Sequence, residues 1–139
     1  MRKSLFLSDY YRMTGTMWQF RVKHLMNFLF MHQIRYMFWW RKAKEKMTPF
    51  RRFILYRYSR KYGLEISTSA EIGEGFYIGH PYNITIGSGV EIGNDVMIAP
   101  NSFVNFHVPN HSVVVGNPGV IHCKEYATEG YVNFCVESV

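Results

Sequence analysis

The chain has 139 residues, 47% hydrophobic and 17% aromatic with only five prolines, which is enough apolar surface for a core and excludes a disordered or low-complexity polymer. Its net charge of +6 is unevenly placed: residues 1–61 carry fifteen Lys and Arg against Asp9 and Glu45, whereas residues 62–139 carry Lys124 against eight acids. Such a split marks two segments with different roles and gives the first a field that attracts phosphates, acidic lipid headgroups or the acidic half of the chain itself.

Residues 1–7 are basic and then apolar, but the run stops at Ser8-Asp9, too short for a signal peptide. Asp9-Tyr10-Tyr11-Arg12, ahead of Thr14-Gly15, reads as a short helix ended by glycine. Helical spacing then runs through Leu25, Phe28, Leu29, His32 and Tyr36, and again through Phe50, Phe53, Ile54 and Arg57. Residues 24–40 are rich in Leu, Met, Phe and Trp, yet Asn27, His32, Gln33 and Arg35 interrupt them. A spanning helix needs about 20 nearly uninterrupted apolar residues, so no transmembrane segment is predicted. Thr48-Pro49 supplies an N-cap and a proline at the first helical position, so a further helix starts there and runs toward Tyr58. Residues 1–62 are therefore read as an amphipathic helical cap packed on the second half of the chain; peripheral contact with an anionic membrane stays open, and no nucleic-acid partner is expected.

At Gly63 the pattern changes. Aliphatic residues recur every six positions, at Ile66, Ile72 and Ile78 and then at Ile86, Ile92, Ile98 and Val104, and glycine directly follows Ile72, Ile78, Ile86 and Ile92. A six-residue period with an inward aliphatic knob is the mark of a hexapeptide β-helix, in which three six-residue sides close a triangular coil. Glycine after the knob is expected to serve a corner, where the backbone needs unusual φ and a Cβ is in the way. The predicted class is α+β: helices over 1–62, a short parallel β-helix of about three coils over 63–125, and a tail over 126–139, with residues 126–134 covering the last coil. The register slips by two between Ile78 and Ile86, so a corner bulge or short loop is expected at Ile84-Thr85. Cys123 and Cys135 have no CxxC spacing and read as reduced thiols of a cytoplasmic protein. His107 and His111 read as loop histidines, since zinc requires at least three converging ligands.

Leu64-Glu65-Ile66, Ile72-Gly73-Glu74-Gly75, Ile78-Gly79-His80 and Val114-Val115-Gly116-Asn117-Pro118 followed by Val120-Ile121 together resemble the serine acetyltransferases, especially the small ones encoded with surface-polysaccharide genes. Ser8-Asp9-Tyr10-Tyr11-Arg12 and Arg35-Tyr36-Met37-Phe38 resemble the short helical region of that group, so the likeness covers nearly the whole chain. The resemblance implies a left-handed coil, acetyl-CoA as co-substrate, no metal, a serine or sugar hydroxyl as acceptor, and a homotrimer with sites between subunits. It implies His80 as general base and Glu65, where the family usually has aspartate, as the carboxylate that orients it. Ala99, Gly116, Asn117 and Pro118 fall where the family's terminal coil lines the coenzyme A groove. Residues 92–100 already resemble that terminal coil, as if central coils were deleted; a truncated, inactive relative serving as a trimeric scaffold is the rival reading.

Overall fold

The computed structural model describes residues 4–123 together with Val132 and Phe134. Four helices come first: α1 Leu5–Thr14, α2 Val22–Phe30, α3 His32–Glu45 and α4 Pro49–Tyr62. Among the described residues no helix is long and apolar enough to cross a membrane. α1 ends as its sequence predicts, with Gly15 left-handed at φ +70° and its amide bonded to the Tyr11 carbonyl at 2.7 Å. α4 starts where expected, the Thr48 hydroxyl accepting the Arg51 amide at 3.2 Å, but it runs past Tyr58 until Gly63 caps it at φ +67°. The stripe from Leu25 to Tyr36 is not one helix. The chain bends at Met31, and the Arg35 guanidinium takes up the carbonyls of Phe28 and Leu29 that the end of α2 leaves open.

Among the described residues eight short strands come next: β1 Leu64–Ile66, β2 Glu71–Ile72, β3 Ile84–Ile86, β4 Glu91–Ile92, β5 Met97–Ile98, β6 Phe103–Val104, β7 Ser112–Val115 and β8 Val120–Cys123. They form three sheets, β1-β3-β6, β2-β4 and β5-β7-β8, extended by bridges at Tyr77–Met97 and Ile92–Val108. All pairings except β7–β8 are parallel, so the chain winds and stacks on itself. The inward ladder holds the seven aliphatics read from the sequence and two more, Val108 and Val114. Ile66, Ile86 and Val104 stack on one face, Ile72, Ile92 and Val108 on the second, Ile98 and Val114 with Ile78 on the third, and all nine lie in one core.

The winding is uneven. Leu64 pairs with Ile84 twenty residues on, Thr85 with Phe103 eighteen on, and Met97 with Val113 sixteen on. The extra residues of the first winding lie at 79–83, so the expected bulge at Ile84-Thr85 is corrected: those two residues sit in β3. The final strand also departs from the repeat, because β8 turns back antiparallel on β7.

The glycines after the knobs are not in left-handed backbone. Positive φ falls three residues after the knob instead, at Gly75, Gly89, Asp95, Asn101 and His111. What Gly73 and Gly93 supply is space: a Cβ on Gly73 would stand 2.8 Å from the Gly93 carbonyl carbon, and one on Gly93 would stand 2.6 Å from the Asn110 amide nitrogen. Asparagines fill the corner beside them, the Asn94 side chain accepting the Glu74 amide and the Asn110 side chain accepting the Asn94 amide, both at 2.8 Å.

The first winding has no strand before it, so its edge groups need other partners. α1 and α3 provide them. The Ile66 amide donates to the Tyr36 hydroxyl (3.1 Å) and its carbonyl accepts from the Trp40 indole (3.0 Å). Lys44 reaches the Ala70 carbonyl (2.9 Å), and Arg41 reaches those of Ile72 (2.6 Å) and Gly73 (2.8 Å). The Gly75 and Phe76 amides donate to the Ser8 hydroxyl and the Asp9 carboxylate. Tyr36, Met37 and Trp40 enter the same core as the ladder. The expected cover from residues 126–134 lies outside the described residues except for Val132, buried against Met97 and Val113, and Phe134, whose ring lies over Gly15.

Candidate active-site edge

His80 stands in the 79–83 loop, between the Tyr77 bridge and β3, and is exposed. The residues that follow it in the loop are tied down. The His80 carbonyl accepts the Tyr82 amide (2.9 Å), the Asn83 amide donates to the Tyr62 carbonyl (2.9 Å), and the Asn83 side-chain amide donates to Asn101 (3.1 Å). Pro81 is buried, and its carbonyl accepts from His32 Nε2 at 3.2 Å. Because a carbonyl can only accept, the proton sits on Nε2 of His32. The His32 ring stacks on Tyr62 with centroids 3.8 Å apart and planes 9° apart, and the Tyr82 ring meets both edge-on. Burial holds the His32 imidazole below its ordinary range, partly offset by the Pro81 carbonyl. His32, Tyr62 and Tyr82 thus fasten a loop whose one free side chain is the His80 ring, which makes no hydrogen bond among the described residues.

Ala99 and Gly116 lie on the same edge, one and two windings further on. The Asn101 amide donates to the Tyr82 carbonyl (3.2 Å), which stacks the corner at 99–101 on the His80 loop. The Ala99 amide donates to the Val114 carbonyl (2.9 Å) and the Gly116 amide to the Ser102 hydroxyl (3.1 Å), so both are engaged within the chain. Asn117 and Pro118 are exposed in the turn between β7 and β8. Glu65 is exposed on β1, opposite Thr85, and forms neither an ion pair nor a hydrogen bond with His80. The structure therefore brings His80, Ala99 and Gly116 to one edge and leaves Glu65 on the adjoining face without contact. The anchors His32, Tyr62 and Tyr82 are hidden in the sequence because an aromatic stripe at helical spacing looks like core; Pro81-Tyr82-Asn83, a turn directly after the histidine, is the one available signal.

The other histidines lie elsewhere. His107 borders an open groove of about 700 Å³ on the β2–β4 face, between Glu71, Glu91 and Asn110. Its Nδ1 accepts the Glu91 amide at 3.2 Å, whereas His111 faces Asp95 at 3.6 Å. Among the described residues no three His, Cys, Asp or Glu side chains gather as a metal ion would require.

No family model and no curated protein matches the chain. Among solved structures it is similar to the serine acetyltransferase of Neisseria gonorrhoeae, at 15% identity and TM-score 0.48, covering 87% of this chain and 64% of that one. The serine complex of that enzyme is similar at 15% identity and TM-score 0.48, over 84% of this chain and 67% of that one. A serine acetyltransferase in complex with CoA is similar at 14% identity and TM-score 0.46, over 86% of this chain and 67% of that one. The chain thus spans about two thirds of the length of these proteins.

Proposed function

We propose that the chain is an acetyl-CoA-dependent O-acetyltransferase of the serine acetyltransferase kind, carrying an acetyl group to L-serine to give O-acetylserine and free CoA. Its winding is read as a left-handed β-helix of about three coils, assembled as a cytoplasmic homotrimer with its sites between subunits. The observation that carries this reading is the presentation of His80, an exposed imidazole on a loop fastened at His32, Tyr62 and Asn101, on the edge that also bears Ala99 and Gly116. Imidazole suits proton transfer at neutral pH, and the hydroxyl of serine is a poor nucleophile until its proton is taken. In the proposed step His80 accepts that proton as the hydroxyl oxygen attacks the thioester carbonyl. The tetrahedral adduct then collapses, the C–S bond breaks, and the leaving sulfur takes the proton back from the imidazolium. Glu65 is the proposed orienting carboxylate; it must swing across the corner from β1 to reach the ring. Ala99, Gly116, Asn117 and Pro118 are the proposed border of the coenzyme A groove, with serine and CoA the ligands to try first.

The test is thiol release from acetyl-CoA in the presence of serine, alongside the thermal shift that CoA produces. His80→Ala is expected to lower turnover about 100-fold or more while CoA still raises the Tm of the variant. No turnover in the native chain, with no thermal protection by CoA, ends the proposal.

A second reading, a non-catalytic trimeric scaffold, has its own support in the engaged amides of Ala99 and Gly116 and in the separation of Glu65 from His80. Under it the chain sediments as a trimer, releases no thiol with serine or with sugar acceptors, and is indifferent to His80→Ala.

A further inference from the structure

The surface around α2 is unusual for a water-facing helix. Phe20 is wholly exposed, Val22 is 77% exposed and Phe30 75% exposed, and Met17, Leu25, Met26 and Leu29 are exposed with them. Of the residues of α2 only His24 is buried, held by the Tyr10 hydroxyl at 2.6 Å. His24, with Asn27 donating to the same hydroxyl at 3.2 Å and the Phe28 ring against Phe38 at 5.6 Å, holds one side of the helix, while Val22, Leu25, Met26, Leu29 and Phe30 face outward. Phe20 and Leu25 continue into an apolar groove of about 440 Å³ walled by Phe6, Trp18, Phe28 and Phe38. Contiguous apolar surface of this kind marks an interaction site.

Charge identifies the partner. Arg21 and Lys23 are exposed within the patch. The two acids of residues 1–61 do not offset them, since Asp9 is buried against Arg41 at 2.9 Å and Glu45 sits by Lys42 at 3.1 Å. A two-fold contact between copies would turn the patch against itself, bringing two sets of Arg21 and Lys23 to a surface that carries no acid of its own to pair with them. The acidic second half of another copy has the right sign, but among its described residues only Tyr82, Val115, Val120 and Phe134 are exposed large apolar side chains, and Phe134 lies over Gly15. A short helix with bulky apolar residues on one side and basic residues along its border fits the interface of an anionic bilayer. We propose that α2 and the segment from Met17 that leads into it dock on an anionic lipid surface, lying in the headgroup layer with Phe20 and Phe30 inserted. Docking of this kind is independent of any reaction at the His80 edge.

Flotation of the whole chain with vesicles of phosphatidylglycerol mixed with phosphatidylcholine, against vesicles of phosphatidylcholine alone, tests it. The chain is expected to float with the mixed vesicles and much less with the neutral ones. Phe20→Ser combined with Phe30→Ser should weaken binding about 100-fold. Arg21→Gln combined with Lys23→Gln should weaken it about thirtyfold at low salt and remove the preference for anionic lipid. Val120→Ser, on the far strand, should change nothing. Because these side chains are exposed, unchanged melting curves are expected to accompany each variant. The proposal is overturned if the native chain floats with neither vesicle or if the phenylalanine variant binds as the native chain does. It is equally overturned if that variant's effect is a lower sedimentation coefficient without lipid, which would make the face a contact between copies.

Discussion

At Gly93 the missing side chain answers a demand for room, whereas at Gly75 and Gly89 it answers a demand for left-handed backbone. Gly93→Ala should therefore cost about 1–3 kcal/mol in a urea melt, because its Cβ would press on the backbone of Asn110. Gly87→Ala, whose nearest neighbour would be 3.6 Å away, should be neutral or stabilise by up to about 1 kcal/mol. His32 supplies a pH dependence. Burial holds its folded-state pKa below the ordinary 6.5, so as pH falls through 6.5 the unfolded chain takes up a proton that the folded chain refuses. Stability is expected to fall as pH drops below about 6.5 and to be flat in this respect above it; Tm measured across that range should lose this slope in His32→Gln. The inward ladder from Ile66 to Val104 is legible residue by residue because burial repeats with the winding. The role of His32 is not, because nothing in a helical stripe says which member will leave the core to hold a loop.

On the scale of elements, α1 and α3 substitute for the strand that the first winding lacks, offering side-chain donors and acceptors where a neighbouring rung would offer backbone. The Asp9–Arg41 pair sits at the centre of this seam and is buried. Asp9→Ala should cost about 3–5 kcal/mol, since it strands the Arg41 charge and the Phe76 amide, and replacing Arg41 as well by an apolar residue should recover little of that in the same melt, because the Ile72 and Gly73 carbonyls then lose their donor. The caps of α1 and α4 are readable from Gly15 and Thr48-Pro49 because each is a local backbone event. The break at Met31 is not, because it is settled by Arg35 folding back on carbonyls of the preceding helix. Strict periodicity likewise misses Val108, which comes four residues after Val104, because the intervening corner is short and only the pairing with Ile92 reveals it.

For the whole molecule, the helices and the wound strands close over one core, which holds Trp40 together with Leu64, Ile66 and Ile72. They should unfold together: far-ultraviolet dichroism and tryptophan fluorescence are expected to give coincident urea transitions, and two separated steps would show that the halves are independent. The charge division read from composition maps onto this architecture, the described cations on or between the helices and five of the seven described acids on the windings, though a shared core could not be inferred from charge.

The β7–β8 turn does for the far end what α1 and α3 do for the near one. Phe103 gives its amide to the Gly116 carbonyl and receives the Gly119 amide, so the outer edge of β6 is already taken. A copy of the chain cannot add a strand at this edge without evicting the turn that occupies it. On the β6 face, end-to-end pairing of two stacks is closed off.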